Sequence, residues 1–315
     1  MQISEGNGIE ITENGSKIHL DPKNISGQLS FISHSHFDHL FSNDDDTLKL
    51  CSPETKALAE CRLNKEMRNT CQEHAFDGMS LRMKGSGHIL GSSSLVIEGG
   101  EKLIYTGDVC TRTRAFLNGF EPEKCDTLLL ETTFGRPDFV FPSYREVERS
   151  AREWVNQCIS KGESVILMGY SLGKAQMISH MFREYRQLLH GKILDMNRIH
   201  KSFGVEVPVG PEFNESNTKD QFILISPPVK SSAWLKKLKE KHRIRTAIFS
   251  GWAVSENYKY MCGADESFVL SDHADFIELK EIVQKSDPEK VYTHHGFAEE
   301  FAAYLKRIGF NAKAL

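Results

Sequence analysis

Three histidines and one aspartate lie within six residues of this chain, in the segment 34–39 (HSHFDH). The segment directly follows an apolar run that predicts a strand. Imidazole nitrogens and carboxylate oxygens are ligands that zinc prefers, and four of them at this spacing are difficult to bring onto one ion without distorting the chain. Two neighbouring ions can divide them, so the segment predicts a dinuclear metal site rather than a solvated polar loop.

A dinuclear site needs further ligands, including one that bridges the two ions. His88, in the segment 87–91 (GHILG), and Asp108, in the segment 105–108 (YTGD), each follow a predicted strand and stand beside glycines. Taken singly, such a histidine is more often structural and such an aspartate more often belongs to a turn. Together with the first segment, they predict two further ligands at strand ends.

These segments carry a family resemblance. The succession of Asp21, HSHFDH, GHILGSS and YTGD resembles the metal-binding order of the metallo-β-lactamase fold. Lactamases, thioester hydrolases and nucleases share these ligands, so the order alone leaves the reaction open. Three later segments, 130–135 (LETTFG), 271–275 (SDHAD) and 293–296 (THHG), resemble the extra motifs of the β-CASP nucleases. That family contains messenger-RNA 3′-end endonucleases, ribonuclease J and DNA-crosslink-repair nucleases.

A closer resemblance is to the bacterial ligase-associated DNA exonucleases. It rests on the segments 251–254 (GWAV), 268–275 (FVLSDHAD) and 291–297 (VYTHHGF). One position departs from the crosslink-repair nucleases, which carry an aliphatic residue where this chain has His295. The resemblance therefore favours DNA as the substrate, whereas His295 favours RNA.

The resemblance also implies the ligands of each ion and two bound Zn²⁺ ions, with Mn²⁺ as an alternative. Asp38 and Asp108 would serve both as ligands and in catalysis, and Asp21, at a strand end, would orient a ligand histidine from behind. His294 and His295 are neighbours on one predicted strand, so their side chains point to opposite faces and only one can be a ligand. The implied sets are His34, His36 and His88 on one ion, Asp38, His39 and His295 on the other, and Asp108 bridging both.

Proton transfer is assigned to two other residues. The resemblance implies that His273 protonates the leaving oxygen, and that Glu131 holds its ring in the required tautomer through a hydrogen bond. The alternative for His273 is a structural histidine just before a helix, because Asp275 is a good helix N-cap. Two ions would polarise the phosphodiester and activate a water for attack.

The elements that must position these residues change in character along the chain. Short strands dominate up to residue 130, beginning with a hairpin whose turn is 13–16, and only one helix, 53–66, interrupts them. From residue 144, helices alternate with strands, which predicts a parallel sheet, and 174–189 reads as one helix. We expect an α/β protein, a metallo-β-lactamase αββα sandwich (1–143 and 261–315) with an inserted β-CASP-like α/β cap (144–260).

The cap offers a candidate substrate contact. The segment 170–176 (YSLGKAQ) resembles the strand-to-helix signature of β-CASP caps, and Ser171, Gly173 and Lys174 would bind a phosphate where the helix dipole and unpaired N–H groups favour an anion. The alternative is an ordinary turn with Lys174 in solvent. A second candidate is the basic segment 230–245, in which seven lysines or arginines accompany the single acid Glu240.

Composition narrows the class of protein. Lys and Arg number 39 against 43 Asp and Glu, which argues against a generally basic nucleic-acid coat. Seven scattered cysteines with no Cys-X-X-Cys pair favour a reducing compartment, and no apolar run is long enough to span a bilayer. We therefore expect a cytoplasmic protein that does not contact a membrane.

The leading functional hypothesis is a zinc-dependent exonuclease that degrades single-stranded DNA from a free 5′ end in DNA repair, with a DNA ligase or repair complex as a candidate partner. An RNA-processing endo- or exoribonuclease of the same family is the first alternative. A small-molecule hydrolase on the same metals and a catalytically silent scaffold subunit are two others. Glu131, His273 and the cap argue against the small-molecule hydrolase, and the full ligand set argues against the scaffold.

Overall fold

The computed structural model describes residues 1–13, 15–43, 45–218, 220–229 and 233–315. Strands outnumber helices among these residues. In chain order they are β1 (Gln2–Gly6), β2 (Gly8–Glu13), β3 (Ser16–Leu20), β4 (Leu29–Phe31), β5 (Leu48–Leu50), β6 (Thr70–Cys71), β7 (His74–Phe76), β8 (Met79–Gly85), β9 (Ser93–Glu98), β10 (Lys102–Tyr105), β11 (Thr127–Glu131), β12 (Ser164–Met168), β13 (Gln187–Leu189), β14 (Ile223–Ser226), β15 (Ile244–Ser250), β16 (Glu266–Val269), β17 (Lys290–His294) and β18 (Ala312–Ala314).

Several helices begin at capping residues that the sequence offers. Ser52, for example, accepts a hydrogen bond from the Thr55 N–H and precedes Pro53 at the first helical position. The α-helices are α1 (Pro53–Leu63), α2 (Tyr144–Ser160), α3 (Lys174–Met181), α4 (Gly191–Ser202), α5 (Ala233–Lys241), α6 (Tyr258–Cys262), α7 (Phe276–Ser286) and α8 (Ala298–Arg307). Short 3-10 helices lie at Phe37–His39, Glu215–Thr218 and Gly251–Val254.

The chain divides into two compact units. The first comprises Met1–Arg112, Leu117–Phe139 and His273–Leu315, and the second comprises Thr113–Phe116 and Val140–Asp272. The cap expected at 144–260 thus lies within the second unit, which continues to Asp272. The reason is β16, which pairs in parallel with β15 of the second unit.

The first unit contains two sheets that pack face to face. One has the strand order β1-β2-β3-β4-β5-β6, and the other has the order β18-β17-β11-β10-β9-β8-β7. Side chains that alternate along the strands fill the space between them, including Ile11, Phe31 and Leu50 from the first sheet and Leu95 and Leu103 from the second. Each is at most 1% exposed, so this interface is a fully buried core.

Helices cover the outer faces of both sheets. Residues of α1 and the segments beside it pack with Ile32 and Cys51 on the first sheet. α7 and α8 pack on the second, where Leu279 and Phe301 contact the outward side chains of β11 and β17. The order is helix, sheet, sheet, helix, which confirms the predicted αββα sandwich.

Strand direction decides where the candidate ligands lie. In the second sheet β10, β11 and β17 run parallel, and in the first sheet β3 and β4 run parallel. The carboxyl ends of neighbouring parallel strands meet at one edge of a sheet. Asp21, His34, Asp108, Glu131 and His295 each lie at or just after such an end. Segments far apart in sequence are therefore brought to one edge of the sandwich.

The second unit has its own core around a five-stranded parallel sheet of order β13-β14-β12-β15-β16. The expected single helix over 174–189 is wrong. α3 ends at Met181, and residues Gln187–Leu189 form β13, which pairs with β14. Apolar periodicity cannot distinguish a short buried strand from a helix continuation, and here burial in the sheet decided the structure.

Two sequence features reach residues outside the described part of the chain. The hairpin of β2 and β3 is antiparallel as expected, but Asn14 of its turn lies outside the described residues. Residues 230–232 of the basic segment do so as well, and the remainder includes α5. Across the described residues, no helix combines the length and apolar composition that a bilayer-crossing segment requires.

Candidate active site

Four predicted ligands converge at the edge of the first unit. One ligand atom each from His34, His36, His88 and Asp108 lies within 4.8 Å of the other three. The His88 Nε2 and His36 Nδ1 atoms are 3.0 Å apart, and the His34 Nε2 atom is 3.3 Å from Asp108 Oδ2. Imidazole nitrogens facing one carboxylate oxygen at such spacing form a donor set that zinc prefers.

Hydrogen bonding around His34 fits a metal ligand. The Ser33 hydroxyl donates to Asp21 Oδ2 (2.6 Å), so the contact of 2.9 Å between Ser33 Oγ and His34 Nδ1 requires that the imidazole donates from Nδ1. That tautomer presents a lone pair at Nε2. His34 Nε2 is buried and has no hydrogen-bond partner among the described residues, a costly state that a bound cation relieves.

The two oxygens of Asp108 face different histidines. Oδ2 is 3.3 Å from His34 Nε2 and 3.5 Å from His88 Nε2, whereas Oδ1 is 3.5 Å from His39 Nε2. A carboxylate placed in this way can contribute one oxygen to each of two ions. The donor set is therefore compatible with metal binding.

The second predicted set is more open to solvent. The His39 Nε2 atom lies 3.8 Å from Asp38 Oδ2, and the His39 and His295 ring centroids are 5.3 Å apart. The Asp38 side chain is 72% exposed, whereas the His39 side chain is 2% exposed. Beside this set a cavity of about 440 Å³ opens, lined by Asp38, His39 and His295 together with residues 5–6 and 8–9 around the turn between β1 and β2.

Asp21 supports both sets from behind, as the sequence predicted. Its Oδ2 accepts a hydrogen bond from His39 Nδ1 at 2.8 Å, which turns His39 Nε2 toward Asp108. Ser33 and Tyr105 are partners that sequence reasoning missed. The Tyr105 hydroxyl donates to Asp21 Oδ2 at 2.8 Å, and the Ser33 N–H donates to Oδ1 at 2.6 Å. The only signal was their position beside a motif, which gives no direction for a side chain.

Buried carboxylates favour a cation at this point. Burial alone would raise the pKa of Asp108, but His39 and His34 outweigh it and hold that pKa well below its usual range. Burial likewise opposes charge on His39, yet Asp108 and Asp21 raise the pKa of His39 to about 10. The pKa of His34 is lowered, first by burial and then by the neighbouring His39.

The side chains of His294 and His295 point in different directions, but not for the reason that strand alternation predicts. β17 ends at His294, and His295 lies beyond it in the left-handed conformation, with φ of 59°. Strand alternation is therefore not what divides them. The Thr132 N–H donates to the His294 carbonyl at 2.9 Å, and the Thr132 hydroxyl donates to the His295 carbonyl at 2.7 Å. A Cβ on Gly296 would lie 2.4 Å from Thr133 Cα, so this turn is tightly held.

His294 packs inside the sandwich instead of joining the ligands. It stacks on Tyr105 with ring centroids 5.4 Å apart and is 3% exposed. Burial, followed by the nearby His295, lowers the pKa of His294 to about 3, so the ring is neutral. Neither ring nitrogen has a hydrogen-bond partner among the described residues. The choice of His295 over His294 as a ligand stays a prediction.

Glycines beside the ligands permit close packing, as expected. Gly87 has φ of 75°, and a Cβ there would lie 2.3 Å from the Cys110 carbonyl oxygen. Gly107 has φ of 54°, and its Cβ would lie 2.8 Å from Ser33 Cβ. A side chain at either position would displace His88 or Asp108, so these glycines are required for the ligand geometry.

Glu131 and His273 form the predicted pair. Glu131 Oε1 lies 2.9 Å from His273 Nδ1 and also accepts from the Val109 N–H at 3.1 Å, while Oε2 accepts from the Thr133 N–H at 2.8 Å. The carboxylate is fully buried and held at both oxygens. It therefore fixes the His273 ring, which lies 4.5 Å from the His88 ring between centroids.

His273 lies just before the start of helix α7. Asp275 is the N-cap of α7, and its side chain and that of Glu278 bond reciprocally to each other's N–H groups in a capping box. The Glu278 carboxylate also contacts Thr111 and Arg112, just after Asp108. The structural alternative for His273, a residue near a helix cap, thus holds at the same time as the contact with Glu131.

The predicted phosphate-binding residues belong to the second unit, and there they have protein partners. The Lys174 ammonium forms a buried ion pair with Asp272, and neither side chain is more than 6% exposed. The Gly173 N–H donates to Gln176 Oε1, and the Ser171 carbonyl accepts from Gln176 Nε2. Lys174 is therefore not a solvated turn residue. A role for Ser171, Gly173 and Lys174 in substrate binding stays a prediction.

The ion pair predicts a large effect on stability. Lys174→Met leaves Asp272 charged and buried without its cation, which is expected to lower the free energy of unfolding by about 3–5 kcal/mol. The double variant Lys174→Met/Asp272→Leu removes both charges and should recover most of that loss. Urea unfolding of the full chain measures both. A Lys174→Met variant that keeps its stability but binds nucleic acid with one fewer phosphate contact would instead support the phosphate clamp.

One family model and one solved structure match this chain over very different lengths. Residues 264–315 match a family model described as the Zn-dependent metallo-hydrolase RNA specificity domain. A crystal structure of a protein of unknown function from Enterococcus faecalis V583 superimposes with a TM-score of 0.66 over 98% of this chain and 95% of that one. Sequence identity is 12%, so this likeness shows a shared fold only.

Curated relatives extend over more of the chain. A probable DNA ligase of Opitutus terrae is 34% identical over 304 residues, 91% of this chain and 28% of the ligase. An RNase J-like protein of Methanocaldococcus jannaschii is 29% identical over 53% of this chain and 40% of its own length. Cleavage and polyadenylation specificity factor subunit 3 of Dictyostelium discoideum is 25% identical over 83% of this chain and 40% of its own.

The chain thus spans between about a quarter and two fifths of the length of these three relatives. The match to the ligase covers 91% of this chain, and the family model matches residues 264–315. The chain belongs to the metallo-β-lactamase/β-CASP nuclease family.

Proposed function

We propose that this chain is a zinc-dependent nuclease that hydrolyses phosphodiester bonds in single-stranded nucleic acid. The observation that carries the proposal is the position of Asp108, whose two oxygens face different histidines. The Glu131–His273 pair beside it adds a proton donor. Two bound zinc ions would polarise the phosphodiester and activate a water molecule for attack.

The side chains of the protein supply positioning and proton transfer. His34, His36, His88 and Asp108 would hold one ion, and Asp38, His39, His295 and Asp108 the other. Glu131 accepts the Nδ1 proton of His273, so Nε2 is the atom that delivers a proton to the leaving oxygen. Asp21 keeps His39 oriented, and the burial of His34, His88 and Asp108 limits the access of bulk water to their ligand atoms.

The Glu131–His273 pair distinguishes a nuclease from a small-molecule hydrolase. The leaving group of a phosphodiester is an alkoxide, which requires a proton as the bond breaks. A thioester hydrolase releases a thiolate, which leaves without one because its pKa is far lower. A buried carboxylate held by two N–H groups to orient one histidine therefore favours phosphodiester hydrolysis.

DNA is the substrate that we propose. A region similar to 91% of this chain forms part of a protein named as a probable DNA ligase, which supports a DNA exonuclease acting from a 5′ end beside a ligase in repair. RNA is the second candidate, supported by the matched RNA specificity domain and the RNase J-like relative. The chemistry at phosphorus is common to both, so contacts outside the ligands must discriminate.

Digestion of matched oligonucleotides tests this proposal. Zinc-loaded protein is given single-stranded DNA and RNA of one sequence, labelled at either end, together with circular DNA. A 5′ exonuclease on DNA releases the 5′ label first as a mononucleotide and leaves circles intact. Faster cleavage of the RNA than of the DNA would indicate a ribonuclease. Cleavage of circular DNA as fast as linear DNA would indicate an endonuclease.

The cellular setting is part of the same proposal. The seven cysteines are scattered along the chain without a Cys-X-X-Cys pair, and four of them are buried, which supports a reducing, cytoplasmic location. A DNA ligase or repair complex is the proposed partner, on the similarity to the ligase polypeptide. Co-purification of a ligase with the tagged chain from its own cells would test the partner, and absence of any ligase from the eluate would remove it.

A further inference from the structure

Phe37 is an exposed aromatic residue in the middle of the metal-binding segment. Its side chain is 62% exposed, although its chain neighbours His36 and Asp38 are predicted ligands. Burial of a phenylalanine side chain stabilises the folded state by about 1.5–3 kcal/mol, and the exposed Phe37 provides little of this stabilisation. Single exposed aromatics are common on protein surfaces. Phe37 differs from other exposed aromatics in two ways: it lies between two predicted ligands, and a guanidinium lies over its ring.

One face of the Phe37 ring is occupied by a guanidinium. Arg62, in the last turn of α1, places its Cζ atom 4.0 Å from the ring centroid, within the range of a cation–π interaction. Arg62 Nε is buried and has no hydrogen-bond partner among the described residues. The stacked Arg62 and the 3-10 turn Phe37–His39 hold the ring in place, and its high exposure leaves the opposite face in contact with solvent.

An aromatic ring with one open face is a platform for a nucleobase. Every base presents a π face, so such stacking tolerates any sequence, and it requires that the base be unpaired. A cation behind the ring does not compete with the base for the open face. Phe37 is also bonded in the chain to two predicted ligands, so a base stacked on it would lie near the candidate metal site.

We propose that the open face of Phe37 stacks on the unpaired nucleobase of the nucleotide next to the scissile phosphate. The inference rests on the proposed function and extends it by assigning a base-binding residue in the first unit. It gives a physical reason for a single-strand preference, because a base held in a duplex cannot offer its face in this way. Phe37 is a substrate-binding residue in this proposal and takes no part in proton transfer.

Equilibrium binding tests the proposal without turnover. The full chain carrying His273→Ala is loaded with zinc and titrated against fluorescently labelled single strands, with anisotropy as the readout. Adding Phe37→Ala should raise Kd about 5- to 150-fold, the range for loss of one base–aromatic stack. Phe37→Trp should keep Kd close to that of the parent. Phe37→Leu should behave like Phe37→Ala, because an aliphatic side chain provides no π face.

The substrate provides the second half of the test. A single abasic nucleotide is moved along the strand, and Kd is measured for the parent and for Phe37→Ala at each position. At one position the abasic strand should bind the parent as weakly as the intact strand binds Phe37→Ala. At that position the effect of Phe37→Ala should also vanish, because the base that it contacts is missing.

Two controls separate stacking from other effects. Zinc content of each Phe37 variant should equal that of the parent, since Phe37 lies beside two ligands. Tyr260→Ala is the matched surface variant, because Tyr260 is 70% exposed and has the Lys259 ammonium 5.6 Å from its ring. It removes an exposed aromatic beside a cation in the second unit and should leave Kd unchanged.

The outcomes distinguish the inference from the proposed function. If the parent binds and cleaves nucleic acid but Phe37→Ala binds as tightly, the stacking role is overturned and the proposed function stands. The same holds if the effect of Phe37→Ala persists at every abasic position. If the parent neither binds nor cleaves DNA or RNA when it holds zinc, the proposed function fails and this inference falls with it.

Discussion

Asp108→Ala is expected to deprive the protein of its metals and of its activity. The wild-type chain should hold close to two zinc ions, because the two oxygens of Asp108 face separate sets of histidines. Removing the shared carboxylate should lower zinc affinity by more than about 100-fold, since even supporting residues behind a ligand account for 10- to 100-fold. Zinc per chain after metal-replete purification and dialysis, measured by atomic spectroscopy, gives the result.

Charge and shape can be separated at this position. Asp108→Asn keeps the side-chain volume but loses the negative charge, so it should also fail to hold two ions. Asp138→Ala, at an exposed aspartate of the same unit, should retain them. A wild-type ratio of one zinc per chain would contradict the dinuclear site. Two ions retained by Asp108→Ala would remove the bridge.

His273→Ala should lower turnover by roughly 10²–10⁴-fold, the range for loss of a general acid, while both zinc ions remain. The physical reason is that Glu131 holds the His273 ring at Nδ1, which suits this histidine for proton transfer. Single-turnover cleavage of a labelled oligonucleotide, with zinc content measured on the same sample, separates chemistry from metal binding. Loss of zinc in His273→Ala would make this histidine a ligand.

Glu131 and the late histidines provide matched controls for that result. Glu131→Gln keeps the shape of the buried side chain but loses the charge that stabilises a protonated His273, so turnover should fall with zinc unchanged. His295→Ala should show the opposite pattern, with close to one zinc ion per chain, because its ring faces His39. His294→Ala should leave the zinc content as it is, since His294 packs on Tyr105.

Much of the metal site follows from local sequence. Residues 34–39 place three imidazoles and a carboxylate on one short segment after a strand, and no other fold element is needed to bring them near one another. His88 and Asp108 could be nominated because each follows a strand and stands beside glycines. The order of these segments also indicated the αββα sandwich, since each motif of the family is tied to a strand end.

Directions of side chains could not be read in the same way. The spacing of residues 34–39 leaves open that Asp38 is exposed whereas His39 is buried. That difference arises because the 3-10 turn Phe37–His39 points His39 toward Asp21, which comes from another strand. Tyr105 and Ser33 were missed for the same reason, because their hydrogen bonds to Asp21 join residues brought together only by sheet packing.

The second unit shows where local pattern fails. The amphipathic pattern over 174–189 favours one helix, but the sheet required a further parallel strand beside β14, and Gln187–Leu189 filled that place. Lys174 reads as a solvated or phosphate-binding cation at a helix start, yet a buried Asp272, 98 residues away, takes its charge. The distant partner cannot be recognised from the local spacing of either residue.

The sequence by itself determined the types of ligand, their order along the chain and the family to which the chain belongs. Those properties depend on neighbouring residues and on which segments end strands. The tertiary structure alone decided that Asp108 lies between two sets of histidines, that Glu131 holds His273, that Lys174 is paired and that Phe37 is open to solvent. These contacts and exposures arise because the ends of parallel strands meet at one edge of the sheet and because distant segments pack together. The local spacing of residues does not specify either.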